Sequence, residues 1–241
     1  MEPYTKDDPQ SIRAMFNTIA KQYDRTNAIL SFCMHKRWNK ALIKKVITPT
    51  KPHILLDICC GTGAIAFGYL KETPAPIKVF MLDFSEKMLE CAQAQAKIQN
   101  LYRHDINYLQ ADAQEIPLLE NSVDCATMAY GIRNVPNPER CLREVYRVLR
   151  PRGTFGILEL TQPDNAFLRF GHGLYLKMIL PLIGKLATPN PEAYNYLRKS
   201  IRSFIPTSTL MELMKKTGFA NVKKFPLCGG VATIITGTKG S

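Results

Sequence analysis

An apolar run, His53 to Ile58, leads into Cys59-Cys60-Gly61-Thr62-Gly63, and Asp57 places a carboxylate just before that turn. Glycine lets a backbone amide approach a ligand where a Cβ would stand in the way. The helix expected from about Ala64 adds its own N-terminal N–H groups. Gly61-x-Gly63-x-x-Ala66 fits the dinucleotide fingerprint, and Asp83 follows about 20 residues later, where a ribose-binding acid belongs. Asp57 argues for a different ligand. So close to the turn it repels a pyrophosphate, yet it suits the amino group and sulfonium of S-adenosylmethionine, which has no phosphate. The expected cofactor is therefore S-adenosylmethionine, held around Asp57, Gly61, Thr62 and Gly63.

Asp83 closes the stretch Phe80-Met81-Leu82-Asp83 and is placed to accept from both ribose hydroxyls through charge-assisted bonds. A carboxylate at the end of a buried strand needs a partner of this kind. Ala111-Asp112-Ala113, after the next strand, can set Asp112 or a backbone amide at Ala113 against the adenine edge. Phe84 and Met88 offer apolar contact to its face, although their spacing is equally that of core residues. Ala129, at the end of the fourth strand, completes the expected lining.

These residues need a scaffold that brings strand ends together, and the pattern supplies one. Helices are expected over about Ala64 to Lys71, Ser85 to Gln99 and Pro138 to Leu149. Strands are expected over Lys78 to Leu82, Ile106 to Gln110, Val123 to Ala129 and Thr154 to Leu160. That alternation predicts an α/β fold with a doubly wound, mostly parallel sheet. Ser85 reads as an N-cap, and Pro151 with Gly153 as the stop of the preceding helix. A helix around Thr209 to Thr217, then Gly218, then strands Asn221 to Phe225 and Val231 to Thr236 predict a terminal hairpin.

Two regions fall outside the sheet. Helical periodicity runs through Ile12, Met15, Phe16 and Ile19 and again through Trp38, Leu42, Ile43 and Val46; a cap insert spans Asn165 to Ile205. Both are expected over the crevice at the carboxyl ends of the strands. We expect one domain over residues 1–241, with a helical region 1–50, a cofactor core 51–160, a cap 161–206 and a C-terminal helix and hairpin 207–241.

The chain has 241 residues, 46% of them hydrophobic, and no apolar run of membrane-spanning length. Its polar N-terminus lacks a secretory pattern, so a cytoplasmic protein is expected. The seven cysteines form no C-x-x-C pair, which predicts reduced core thiols and no metal. A net charge of +12 implies an anionic partner, nucleic acid or a membrane surface. Basic residues gather at Lys36, Arg37, Lys40, Lys44 and Lys45 and at Arg140, Arg143, Arg147, Arg150 and Arg152, clusters equally natural on solvated helix faces.

Several motifs together are more specific than the fold. The glycine turn, Asp83-x-Ser85-x-x-Met88-Leu89, and Gly131-Ile132-Arg133-Asn134-Val135 followed by Leu142-x-Glu144-x-x-Arg147-Val148-Leu149-x-Pro151 resemble the C-methyltransferases of ubiquinone and menaquinone biosynthesis. So do Phe16-x-x-Ile19-Ala20-x-x-Tyr23-Asp24-x-x-Asn27, with Ser31, His35 and Trp38, and Tyr196-Leu197-x-x-Ser200-Ile201-Arg202. The resemblance covers about Ser11 to Lys239. Departures are Thr26-Asn27-Ala28, Ala64, Ala129 and Arg152, which touch substrate contacts more than the cofactor carboxylates.

The resemblance implies methyl transfer from S-adenosylmethionine to a ring carbon of a polyprenylated quinol, naphthoquinol or benzoquinol. A phenol titrates near about 10 in water, so Arg133 beside the oxygen would favour the phenolate. Asn134 would orient the quinol or Arg133. Tyr23, Asp24 and His35 would orient a water that accepts the proton, with Tyr23 and Asp24 closing the cofactor side. Arg202 could serve as a substrate contact or a surface charge. The polyprenyl tail calls for an apolar groove or lipid, which the insert Phe167 to Ile183 could supply through peripheral membrane contact. Assembly of identical chains stays open. Nucleic acid is not expected, since no Asn-Pro-Pro-aromatic or Pro-Cys motif is present. A nicotinamide-dependent reductase and a silent cofactor-binding protein are the other readings.

Overall fold

The computed structural model describes residue 4 and residues 8–179 and 191–241. Its strands are β1 (Ile54–Ile58), β2 (Lys78–Asp83), β3 (Asp105–Gln110), β4 (Val123–Ala129), β5 (Leu149–Leu160), β6 (Phe219–Leu227) and β7 (Ala232–Lys239). They form one sheet in the order β3-β2-β1-β4-β5-β7-β6. The pairs among β1 to β5 are parallel, and β7 lies antiparallel between β5 and β6. This is the doubly wound α/β sheet expected, with the terminal hairpin paired to its edge. The strand order reverses between β1 and β4, which opens a crevice at the carboxyl end of β1, where the glycine turn sits.

Helices α1 (Pro9–Ile19), α2 (Tyr23–Leu30) and α3 (Met34–Leu42) precede the sheet; α4 (Ala64–Leu70), α5 (Glu86–Ile98), α6 (Pro138–Val148) and α9 (Thr207–Thr217) flank it; α7 (Ala166–Leu174) and α8 (Pro191–Ser203) belong to the insert. Their starts follow local chemistry. Asp8, Ser85 and Asn137 each accept backbone N–H groups of the first turn, and Pro9 and Pro138 begin their helices where no N–H is needed. One face of the sheet packs on α3, α4 and α5 through Leu42, Val46, Phe67, Leu70 and Leu89. The other packs on α6 and α9 through Leu142, Val145, Leu210 and Met214.

Some expectations shift. Helix α6 stops at Val148, and Leu149 already opens β5, so Pro151 and Gly153 lie in the strand. The cause is the neighbouring hairpin: the Lys239 ammonium donates to the carbonyls of Tyr146, Arg147 and Leu149 at 2.8, 3.3 and 2.8 Å, taking up acceptors that the helix end leaves free. Cys33 and Cys228 are exposed rather than core thiols. The second basic cluster is largely paired: Arg140 with Glu115, Arg143 with Glu139, Arg147 with Glu144 and Arg150 with Asp124. That cluster is therefore not a free anion-binding face. Leu180, Leu182, Ile183 and Lys185 of the insert lie outside the described residues. Among the described residues no helix is long and apolar enough to cross a membrane.

Candidate active site

The loop after β1 turns in the left-handed region at Cys59 (φ 52°), Gly61 (φ 55°) and Gly63 (φ 89°). A Cβ on Gly63 would come within 2.2 Å of the Phe67 ring, so this position requires glycine for packing as well as for φ. Asp83 accepts from the Gly61 amide at 2.8 Å and from the Ser85 amide at 2.9 Å, which ties the second strand end to the glycine turn. Burial pushes its carboxyl up to about 6, against the pull of those amides. Asp83 lines a cavity with Gly61, Phe84, Met88, Asp112, Ala113 and Ala129, and α1 covers it through Ile12 and Phe16. The Asp112 carboxylate already accepts from the Gln114 amide at 2.8 Å and from its side chain.

Asp57 opens elsewhere. It accepts from Thr127 Oγ1 at 2.8 Å and from the Ala66 amide at 3.2 Å, and burial pushes its carboxyl up to about 7. Together with Thr62, Asp24 and His35 it lines a wider polar cleft, which shares Cys59, Gly61 and Ala129 with the Asp83 cavity. Thr62 donates to Asp24 Oδ1 at 2.7 Å, so α2 is pinned onto the glycine turn. No ammonium or guanidinium pairs with Asp57 or Asp83 among the described residues. The donor set therefore suits a ligand that brings its own positive charge and its own hydroxyls, as S-adenosylmethionine does.

A second cavity, mostly apolar, lies beyond Tyr23 and Tyr130, which stand in the walls of both. It collects Asn27, His35, Trp38 and Arg133 with Leu160, Leu176, Leu197 and Ile201, the last of these from the insert. Arg133, expected as a cation beside the quinol oxygen, is buried in a pair. Its side chain is 6% exposed, and Nη1 meets Glu159 Oε1 at 2.6 Å and the Tyr130 carbonyl at 2.6 Å. The correction is electrostatic: a guanidinium this deep needs a counter-charge, and Glu159 supplies it. Burial works against the charge, but Glu159, Tyr23 and Tyr196 outweigh it and hold the guanidinium pKa above its ordinary value. Arg133 Nε is buried and meets no acceptor among the described residues.

Asn134 is held between elements, its amide donating to the Tyr130 carbonyl at 3.3 Å and its Oδ1 accepting from Tyr196 of α8 at 2.9 Å. Burial raises the phenols of Tyr23, Tyr130 and Tyr196, so each stays a neutral hydrogen-bonding group near pH 7. His35 Nδ1 lies 2.7 Å from Ser31 Oγ, and burial, then Lys36, lowers its pKa. Arg202 is exposed, and its carbonyl accepts from Gln162.

Sequence reasoning missed Glu159 and Tyr130. Glu159 is an acid in the apolar run Gly156-Ile157-Leu158-Glu159-Leu160, the same signal that singled out Asp83. Tyr130 has φ 59°, an uncommon value for a bulky residue, and its hydroxyl donates to Asn39 at 2.9 Å. The neighbouring Gly131 gives a clue, because a Cβ there would sit 2.6 Å from that of Cys59, pressing this loop onto the glycine turn.

Known proteins agree with this architecture. A demethylmenaquinone methyltransferase of Protochlamydia amoebophila is 55% identical over 239 residues, 99% of each chain. One from Chlamydia pneumoniae is 40% identical over 97% of each chain. A solved S-adenosylmethionine-dependent methyltransferase from Thermotoga maritima shares the fold, with TM-score 0.63 and 23% identity over 94% of this chain and 98% of its own. The cofactor is S-adenosylmethionine and the enzyme a methyltransferase, which sets the reductase reading aside. Matched over residues 4–239, the chain belongs to the ubiE/COQ5 methyltransferase family.

Proposed function

We propose that the protein C-methylates demethylmenaquinol to menaquinol, using the apolar cavity for the naphthoquinol ring. When bound, S-adenosylmethionine supplies an electrophilic methyl group. The adenosyl end belongs to the Asp83 cavity, with Phe84, Met88, Asp112 and Ala113, and the methionine end to the cleft of Asp57, Thr62 and Gly63. Tyr23 and Tyr130 border both sides and mark where donor and acceptor meet.

The observation that carries this reading is the buried Arg133 Nε–H, without a partner among the described residues. Leaving such a donor unpaired costs about 1–3 kcal/mol, which an oxygen of the quinol would relieve. Because Glu159 neutralises the guanidinium, the site attracts a hydroxyl without demanding an anion, and the interaction strengthens as the oxygen gains charge. Asn134, fixed by Tyr196 and Tyr130, holds the Arg133 loop in register. Asp24 closes the cofactor side by accepting from Thr62, and Tyr23 lines the same cleft.

Entry from a membrane is part of the proposal. Phe167 and Phe170 on α7 are 83% and 73% exposed, Leu168, Leu174, Met178 and Ile179 are exposed beside them, and Leu176 and Tyr175 of the same segment reach into the apolar cavity. A prenyl tail leaving the cavity meets this ridge, as expected of a cytoplasmic enzyme working peripherally at the inner membrane face. Incubation with labelled donor and each demethylated quinol lipid tests the reading. Label in menaquinol supports it; transfer to a 2-methoxy-6-polyprenyl-benzoquinol alone would redirect the enzyme to ubiquinone synthesis, and transfer to neither would remove it.

A further inference from the structure

The hydrogen-bond pattern around Ser31 fixes something the sequence leaves open, the position of a proton on His35. Ser31 Oγ lies 2.6 Å from the Asn27 carbonyl oxygen, one helical turn earlier in α2. A carbonyl can only accept, so the hydroxyl proton must lie on that line; without it two oxygen lone pairs would face each other at 2.6 Å. The hydroxyl oxygen is then left with lone pairs only, and it meets His35 Nδ1 at 2.7 Å and the His35 amide at 3.3 Å. Nδ1 must carry the ring proton. The imidazole is therefore the Nδ1–H tautomer, and Nε2 is the nitrogen with a free lone pair.

The ring stands where such a lone pair has a use. His35 lines the apolar cavity with Arg133 and also the polar cleft with Asp57. It sits on the first turn of α3, locked to α2 by Ser31, and α2 is itself pinned to the glycine turn through Asp24 and Thr62. An imidazole held in one tautomer by a hydroxyl that is in turn held by a carbonyl is oriented as a base is oriented in a catalytic relay.

We infer that His35 Nε2 is the proton acceptor for a quinol hydroxyl, with Ser31 as the positioning residue that fixes its tautomer. This rests on the proposed quinol substrate. The quinol O–H bond breaks and an N–H bond forms at Nε2, giving a quinolate and an imidazolium with no change in the net charge of the cavity. After the ring carbon has gained its methyl group, it sheds its C–H proton to water. The imidazolium returns its proton to the ring oxygen, so His35 ends neutral and one proton reaches solvent. Arg133 and His35 then divide the work, one stabilising charge on oxygen and the other removing the proton. Burial and Lys36 keep the imidazole neutral near pH 7, while Asp24 pulls the other way. From the facing elements, Arg133, Tyr23, Tyr130, His172 and Tyr175 share the cavity. The phenols are raised by burial and stay protonated near pH 7, and burial lowers His172 as it lowers His35.

Nitrogen-15 long-range NMR of the whole protein reads the tautomer directly, and an Nδ1–H ring is expected; an Nε2–H ring overturns the inference. His35→Asn keeps a donor toward Ser31 but has no Nε2. Turnover of the demethylated naphthoquinol should fall by about two to four orders of magnitude, the usual worth of a positioned base. With the donor saturating at every pH, the acidic limb of the quinol kcat/KM profile should vanish with it, and donor affinity should stay within about twofold. Ser31→Ala, which leaves the imidazole in place, should mix the tautomers in the NMR spectrum and lower kcat about tenfold with the acidic limb retained. Full turnover with an unchanged acidic limb in His35→Asn overturns the role of His35 while the substrate stands. A parent enzyme that methylates neither quinol overturns the substrate, and the acceptor role with it.

Discussion

The two halves of the crevice handle buried charge in opposite ways. On the donor side Asp57 and Asp83 are buried with hydrogen bonds but, among the described residues, no cation beside them, and burial raises both carboxyls far above their ordinary range. On the acceptor side the buried guanidinium of Arg133 is matched by Glu159 at 2.6 Å. The difference follows the chemistry of the two ligands. S-adenosylmethionine brings positive charge, so the protein can leave its carboxylates uncompensated until the cofactor arrives; a quinol is neutral, so the protein must balance its own guanidinium. One side binds by completing a charge pair, the other by offering a hydrogen bond that strengthens as charge develops.

Cutting the acceptor-side pair is the severest way to break that contrast. Arg133→Ala strands Glu159 in the core and should lower stability by about 3–5 kcal/mol in urea titration, besides abolishing turnover. Arg133→Met with Glu159→Leu should recover most of the stability and none of the activity, because the pair is replaced by apolar volume. A single mutant as stable as the parent would show that Glu159 is not the isolated buried charge described. Donor affinity should barely move in any of these.

On the donor side the effect belongs to binding. Asp83→Ala should weaken S-adenosylmethionine by about 1.5–3 kcal/mol in calorimetry, the range for hydrogen bonds to a charged group, and the fold should survive. If a folded Asp83→Ala protein binds the donor as the parent does, the carboxylate lies outside the cofactor contacts. NADH serves as the negative control throughout, since Asp57 opposes a pyrophosphate.

The same contrast explains what could be read from the sequence. The strands, the glycine turn and both donor-side acids were legible because each announces itself locally: short apolar runs, paired glycines after a strand, a carboxylate at a strand end. Arg133 was legible as a residue but not as a pair, because Glu159 comes 26 positions later on β5, and the pairing of β5 with β4 brings it beside the turn that carries Arg133 after β4. The early start of β5 at Leu149 was missed for a like reason, since Lys239, some 90 residues away, takes up the carbonyls where α6 passes into the strand. The Nδ1–H tautomer of His35 depends on two distances to Ser31, and no spacing rule contains them.

A gentler probe is pH. Asp57 and Asp83 reach about 7 and about 6 in the folded, donor-free protein, against about 3.9 for an aspartate in an unfolded chain. Between about pH 4 and 7 the folded state therefore holds more protons than the unfolded one, and its stability should fall as pH rises through that window. The cofactor's cation favours the ionised carboxylates, so its affinity should rise over the same interval, approaching about tenfold per pH unit for each group that must ionise. Calorimetry in buffers of different ionisation heat should find protons released on binding. Binding with no proton exchange would mean that the carboxylates are already ionised before the donor arrives, and the contrast between the halves would shrink to the Arg133–Glu159 pair.

The smallest effect on the folded protein is expected at the ridge of α7. Phe167 and Phe170 are largely exposed, so replacing both with alanine should leave stability within about 0.5 kcal/mol of the parent. Membrane affinity is another matter. Lys36, Arg37, Lys44 and Lys45 lie on the helices before β1 and should add an electrostatic pull screened over about 8 Å at physiological salt. Sedimentation with anionic vesicles should show the parent released by high salt and the double mutant binding less at every salt concentration. The mutant should also lose turnover on long-tailed quinols while keeping it on a quinol without a tail, since the ring cavity is untouched. Equal turnover on both substrates in the double mutant would detach the ridge from substrate entry and leave the tail to reach the apolar cavity by another path along α2 and α8.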